Sequence, residues 1–282
     1  MNNKTDKNIY DRNILKKQAD AGSAEAAHLL GEAYRGHIEV RPAVEESQET
    51  AIGWYKRAAS LGHTDSLSKI GILYWGGDPK IRDQVEAFRW FELAAARGCA
   101  AGAYGCARAL LFGEGTQKDV AEGLEHLHFA AEHGEDFAQL LLGDLYEKGE
   151  LVEKDEEQAA YWYKRGAAQG FAPCQEQLGL SYWAGIGLPV DEEKGFHYLT
   201  LAAEQGLDSA MFSLAELYMY YAKGWLDPQK ALHWYQLAAE QEHPAAMAQL
   251  GEYYDEGRYV AQDKKKAFEL FTRAAELGHP GA

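Results

Sequence analysis

The side chains best able to do chemistry are ten histidines, three cysteines and a large excess of carboxylates. His126 and His128 stand two apart, which on a helix points them to different faces and makes them a poor metal pair. His63, His243 and His279 each follow a turn position, a linking slot rather than a site. Cys99, Cys106 and Cys174 are too few for a disulfide framework and agree with a reducing compartment. Cys106 and Cys174 fill slots otherwise held by core residues and are expected to be buried. Cys99 sits in a turn, where partial exposure is expected, and within one helix it lies too far from Cys106 to bridge. Gly113-Glu114-Gly115 and Gly185-Ile186-Gly187 lack the lysine of a phosphate-binding loop. The acidic run from Glu153 to Glu157 suits a helix N-terminus, where carboxylates meet the positive end of the dipole. No nucleophile, base and orienter stand out together. The expectation is therefore a chain with no catalytic residues, no metal site and no cofactor, and not an enzyme.

Composition narrows the partner. The 282 residues carry 44 acidic and 28 basic side chains, a net charge of −16. Such a surface repels phosphate backbones, which argues against nucleic acid and mildly favours partners with basic groups. A 46% hydrophobic share suits a folded soluble protein. No run of about 18 apolar residues is present, so no membrane insertion is expected. The polar stretch from Met1 to Asp20 lacks the apolar centre of a signal peptide, and the expected location is cytoplasmic.

The elements that must position any site are set by an internal repeat. Paired small residues followed three positions on by glycine recur as Ala58-Ala59…Gly62, Ala94-Ala95…Gly98, Ala130-Ala131…Gly134, Gly166-Ala167…Gly170, Ala202-Ala203…Gly206 and Ala274-Ala275…Gly278. Glu242 takes the glycine position after Ala238-Ala239, and Gln18-Ala19…Gly22 is a degenerate first copy. From 62 the anchors step by 36 through 98, 134, 170, 206, 242 and 278, whereas 22 to 62 is a step of 40. A second signature reads Leu30-Gly31…Tyr34, Ile70-Gly71…Tyr74, Leu142-Gly143…Tyr146, Leu178-Gly179…Tyr182 and Leu250-Gly251…Tyr254. It departs to Cys106-Ala107…Leu110 and to Leu214-Ala215…Tyr218, with Tyr221 in a loop-glycine slot. A third reads Ala51…Trp54-Tyr55, Ala87…Trp90-Phe91, Ala159…Trp162-Tyr163 and Ala231…Trp234-Tyr235.

Leu and Tyr four apart share one helix face, and the Ala, Trp and small-residue positions form a stripe on a second helix. Glycine after the paired small residues fits a left-handed helix end. Each repeat is thus helix A, a loop, helix B and a tight turn. The expected organisation is a single domain over 1–282, with a tail and one helix in 1–22. Repeats follow at 23–62, 63–98, 99–134, 135–170, 171–206, 207–242 and 243–278, and 279–282 begin an eighth. The four-residue insertion near Val40-Arg41-Pro42-Ala43-Val44 is expected to project as a surface loop.

These signatures resemble the Sel-1-like repeat, a relative of the tetratricopeptide repeat, over about residues 12–278. The resemblance implies an all-α, right-handed superhelical solenoid with helix A on its concave side, and an adaptor or scaffold role in binding a partner protein or peptide. It also raises a second role, since bacterial members include immunity proteins that block a toxin by tight complex formation. An enzyme acting on lactam or cell-wall compounds is disfavoured, because the cysteine pair of those relatives is missing.

By analogy with tetratricopeptide repeats, the groove positions lie two before, two after and five or six after the Leu of Leu-Gly. Repeats two to six place apolar and aromatic residues there, and the two ends place charges. The candidate binding residues are Ile72, Trp75, Tyr104, Arg108, Leu111, Phe112, Leu140, Asp144, Glu176, Leu180, Trp183, Phe212, Glu216, Met219 and Tyr220. Aromatic side chains would anchor the partner, and Asp144, Glu176 and Glu216 would meet its basic groups.

Overall fold

The computed structural model describes residues 9–221 and 226–279. The expected tail up to residue 8, the side chain of Tyr221 and the eighth-repeat start at 280–282 lie outside them. Among the described residues the chain is all-α but for one two-residue strand pair. Helix α1 (Arg12–Asp20) precedes seven A/B pairs. The A helices are α2 (Ala24–Tyr34), α4 (Asp65–Gly76), α6 (Ala100–Phe112), α8 (Asp136–Lys148), α10 (Ala172–Ala184), α12 (Asp208–Glu216) and α14 (Pro244–Glu256). The B helices are α3 (Gln48–Ser60), α5 (Gln84–Ala95), α7 (Val120–Glu132), α9 (Glu156–Ala168), α11 (Glu192–Glu204), α13 (Pro228–Glu240) and α15 (Lys264–Glu276). The chain divides into two compact units, residues 1–138 and 139–282.

A series of aspartates starts the B helices. Asp83, Asp119, Asp155, Asp191, Asp227 and Asp263 are N-caps whose carboxylates accept an amide from the first turn, and Ser47 does this for α3. Each such cap contributes about 1 kcal/mol. The backbone amide of the same residue donates back to helix A, as in Asp83 N to Tyr74 O at 2.8 Å and Asp155 N to Tyr146 O at 2.9 Å. One residue per repeat therefore both starts helix B and fixes the loop before it. The turn after helix B needs a left-handed residue. Gly62 supplies it at φ 97°, and Glu242 adopts φ 64° without a glycine's freedom.

The Leu-Gly glycine receives a ring from helix B of its own repeat. A Cβ on Gly71 would lie 2.5 Å from Phe91, and Gly31 and Gly143 abut Tyr55 and Tyr163 in the same way. These rings are the centre of each repeat's core, with Tyr55, Tyr163 and Tyr235 at most 1% exposed.

In the first unit the inserted segment is anchored at one end. Val40-Arg41 (β2) pairs in parallel with Tyr10-Asp11 (β1), and Val40 is buried with Leu15, Ala19 and Leu30. An apolar Val gains more from that core than from water, while Arg41, Pro42 and Ala43 of the same segment are exposed as expected of a surface loop. Cys99 is also buried, against expectation, its thiol facing Asp65, while Cys106 and Cys174 are core residues. Burial pushes the Cys106 thiol up to about 12. In the second unit α12 runs into a π-helical turn, Leu217–Tyr221, where the repeat signature departs.

Candidate functional site

In the first unit a cavity of about 430 Å³ opens between consecutive A helices. Ile72 and Trp75 come from α4, Tyr104 and Arg108 from α6, and Phe137 from the first turn of α8. Arg35, the C-cap of α2, and Glu135 complete the polar rim. Trp75 is tilted on Phe91 at 6.0 Å between ring centres, and the Arg108 guanidinium lies 5.4 Å from the Trp75 ring centre. Tyr104 stacks on Phe137 at 6.1 Å. Burial pushes the Tyr104 phenol up, against the opposing effect of Arg108, so it stays a neutral hydroxyl. Burial also raises the Glu135 carboxyl, with Asp136 adding to the rise and Lys69 opposing it.

A glycine sits in the cavity wall where other repeats have a side chain. The residue before the Leu position is Leu29, Lys69, Leu141, Gln177, Ser213 or Gln249 in other repeats and Gly105 here. Gly105 lines the cavity, and the Phe91 ring fills the place where its Cβ would stand, so a larger residue there would push that ring away. Phe137 likewise is the one large apolar residue in a slot held elsewhere by Glu25, Asp65, Ala101, Pro173, Ser209 and Ala245. Sequence reasoning missed both, and comparing slots across repeats would have found them.

Four sequence candidates, Ile72, Trp75, Tyr104 and Arg108, thus line one cavity. Leu111 does not: it is wholly buried and leans on Gly123, where most repeats have alanine in that B-helix slot. Phe112 is half exposed and outside the cavity lining.

The second unit uses its candidates differently. Leu140 packs against the core around Tyr163 and Leu178, and Trp183 and Phe212 pack against the core around Leu214 and Tyr235. Phe212 also stacks on His243 at 4.9 Å. Met219 is 3% exposed, which corrects its assignment to the binding face. Met219 lies within the π-helical turn and joins the core around Leu214 and Tyr235, and Leu111 is buried at the same slot of a regular helix. The hydroxyl of Tyr220, which is half exposed, is 2.8 Å from that of Tyr253. Leu180 stands at the surface.

The three expected acidic contacts already have internal donors. The Tyr163 hydroxyl lies 2.8 Å from Asp144 and 2.7 Å from Glu147. Tyr235 donates to Glu216 in a short hydrogen bond, and Ser209 donates to the buried Glu176 at 2.9 Å. Burial pushes the Asp144 and Glu176 carboxyls up. A buried phenol needs an acceptor, so these acids serve the core first. Tyr55 does the same with Glu32 at 2.7 Å in the first repeat. Where that helix-B residue is Phe91, Leu127, Leu199 or Phe271 and has no hydroxyl, the partnering slot holds Ile72, Arg108, Leu180 or Glu252, and no buried phenol calls for a carboxylate.

A catalytic row that the sequence did not suggest occurs near the first repeat. Ser66 Oγ is 3.0 Å from His63 Nδ1, and His63 Nε2 is 3.3 Å from Glu25. The hydroxyl is also held by His28 Nδ1 at 2.9 Å, and His28 stacks on His63 at 4.1 Å. Ser66 is wholly buried, so a substrate has no access to it. His63 and His243 act locally, accepting amides of Ser66 and Ala246 at the starts of their helices. Among the described residues no group of three or more potential ligands is arranged to hold a metal ion, and no helix is long and apolar enough to cross a membrane.

Comparison with known proteins agrees with this architecture. The chain is 27% identical to a Sel1 repeat protein of Oxalobacter formigenes, with a TM-score of 0.70 over 95% of this chain and 77% of that one. It is 29% identical to a protective antigen with an SLR fold from uropathogenic Escherichia coli, with a TM-score of 0.67 over 95% of this chain and 64% of the other. A chitin synthase regulator, SKT5 of Saccharomyces cerevisiae, is 30% identical over 154 residues, 53% of this chain. This chain spans only 22% of the length of that regulator. The Sel1 repeat profile matches residues 24–63, 64–99, 100–135, 136–171, 172–207, 208–243 and 244–279. The chain, an all-α solenoid of tandem helix pairs, belongs to the Sel1 repeat family.

Proposed function

We propose that the chain is a non-catalytic protein-interaction module that holds a segment of a partner protein in the cavity of its first unit. The observation carrying this reading is the cavity itself, walled by Ile72, Trp75, Tyr104 and Phe137. None of these is a repeat-signature residue, so the fold does not require them there. Ile72 is 43% and Phe137 52% exposed, which costs apolar hydration that a partner would relieve. Large aromatic side chains grouped in one recess are the usual energetic anchors of interfaces. Membership of a family of interaction repeats and a relative named as a regulator support the same reading.

The test is affinity capture with the wild-type chain and Trp75→Ala in parallel, after circular dichroism shows both folded. A protein retained by wild type and lost by the variant supports the cavity as the site. Equal retention of the same proteins by both sinks it. A single partner held one-to-one at nanomolar affinity would turn the reading from adaptor to inhibitor.

A further inference from the structure

The cavity also carries information on the chemistry of its partner. Its floor is apolar, yet its rim holds two guanidiniums, Arg35 and Arg108, in a chain of net charge −16. Among the described residues neither arginine is in an ion pair. Other basic side chains of the first unit are paired with carboxylates, as Arg57 is with Asp20 and Lys69 with Glu32. Glu135 lines the same cavity, but the cation acting on its carboxyl is Lys69, not an arginine. Arg108 is positioned by the Trp75 face beneath it, 5.4 Å away. Stacking on a ring fixes a guanidinium plane, and of its five N–H donors one serves the Tyr104 hydroxyl while the rest can meet a planar acceptor. The net negative charge does not prevent an acidic ligand from docking here. At physiological ionic strength charges more than about 8 Å away are screened, so the nearby guanidiniums dominate.

We infer that this cavity binds a partner segment in which a large apolar side chain is flanked by an Asp or Glu carboxylate, the apolar group seated among Ile72, Trp75, Tyr104 and Phe137 and the carboxylate on Arg108, with Arg35 as a second anchor. The inference rests on the protein-binding reading of the same cavity. It reverses the partner charge expected from overall composition. The acids that were to meet basic groups, Asp144, Glu176 and Glu216, are engaged inside the second unit.

The experiment is a titration of the full-length ¹⁵N-labelled chain, following the Trp75 indole N–H resonance, assigned by its loss in Trp75→Phe. The probes are acetylated, amidated hexapeptides of sequence Gly-Ser-X-Phe-Ser-Gly with X as Glu, Gln or Lys. A fourth probe has Glu followed by Ala in place of Phe, and a fifth ends in Phe with a free carboxyl group and has no acidic side chain. The expected result is saturable movement of the Trp75 resonance with the Glu-Phe peptide, and affinity lower by about fivefold for Gln-Phe. Lys-Phe and Glu-Ala should be weaker again. Arg108→Gln should equalise the Glu-Phe and Gln-Phe affinities while the Phe dependence persists. Equal binding of all three X-Phe peptides by wild type, or a preference for Lys, overturns the acidic assignment but leaves the apolar cavity as a protein site. Binding of the free-carboxyl peptide alone also overturns it. If no peptide moves Trp75, the acidic assignment and the cavity reading fail together. The peptide series on wild type decides the matter even if the Arg108 variant does not fold.

Discussion

The two units are built from the same repeat, yet the first keeps an open recess where the second packs its equivalent side chains away. Both tryptophans at this repeat position pack on a core, Trp75 around Phe91 and Cys106 and Trp183 around Leu214 and Tyr235, but Trp75 also borders the cavity. Two local differences account for this. Gly105 lets the Phe91 ring pack directly on its backbone, and Phe91 replaces a tyrosine that would require an acidic neighbour. In the second unit Tyr163 and Tyr235 bind Asp144 and Glu216, tying those positions to the interior. The comparison teaches that the helix-B ring decides whether the residue after the Leu-Gly glycine is spent on the core or left for a ligand.

The largest test of that contrast separates the two tryptophans. Trp75→Ala is expected to weaken the captured partner by at least about 2 kcal/mol, roughly thirtyfold, with a small change in melting temperature. Trp183→Ala should do the reverse, lowering the melting temperature with binding intact. Calorimetric titration and thermal melts on both variants decide, and equal binding losses would erase the distinction between the units.

A double-mutant cycle sharpens the ring rule. Phe91→Tyr should cost about 1 to 3 kcal/mol in urea unfolding, because its hydroxyl would face Ile72 without an acceptor. Adding Ile72→Glu should recover about 1 kcal/mol or more of that loss, reproducing the Tyr55–Glu32 pair. Additive effects would show that the pairing is incidental. In the second unit Tyr163→Phe should cost about 1 kcal/mol, as Asp144 and Glu147 lose a shared donor.

A smaller effect is expected at Glu242, the left-handed turn residue without a glycine. Glu242→Gly should raise stability by up to about 1 kcal/mol, although the exposed pair with Arg273 is lost. A lower melting temperature would mean that the ion pair outweighs the backbone strain.

The smallest expected effect is pH dependence in the first repeats. Burial, and then the charge of His63, lower the pKa of His28. The unfolded state then binds the proton more readily, so stability is full above the ordinary histidine pKa and declines as pH falls through it towards the depressed folded value. Glu32 adds a loss at lower pH. Its burial raises its pKa, but Tyr55, Lys69 and His37 outweigh this and hold it below the usual carboxylate range. Melts between pH 7.5 and pH 5, with His28→Gln as the control, should show a decline that the variant lacks; a parallel decline in both would assign it elsewhere.

Much of the fold was legible because its cause is periodic. The step of 36, the Leu-Gly and Trp-Tyr signatures and the turn glycines each report one packing contact repeated along the chain. The capping aspartates repeat at the same step and were equally readable, though they escape a search confined to apolar positions. The site was less legible because it lies in departures from the repeat. Gly105 and Phe137 matter by differing from their counterparts, and Asp144 and Glu216 resemble surface acids until Tyr163 and Tyr235 are seen to reach them. Met219 and Leu111 mislead together, since an apolar side chain at that shared slot turns into the core, which spacing alone does not reveal.

The tyrosine–carboxylate pairs have a consequence for how such arrays diversify. Because each phenol and its carboxylate come from one repeat, exchanging a single ring hydroxyl for hydrogen releases one seat on the inner face, although in the first repeat Lys69 of the next repeat also holds that carboxylate. Recognition can then be rewritten one seat at a time, and a sequence of tyrosine or non-tyrosine choices along the B helices reads as a record of which seats are vacant.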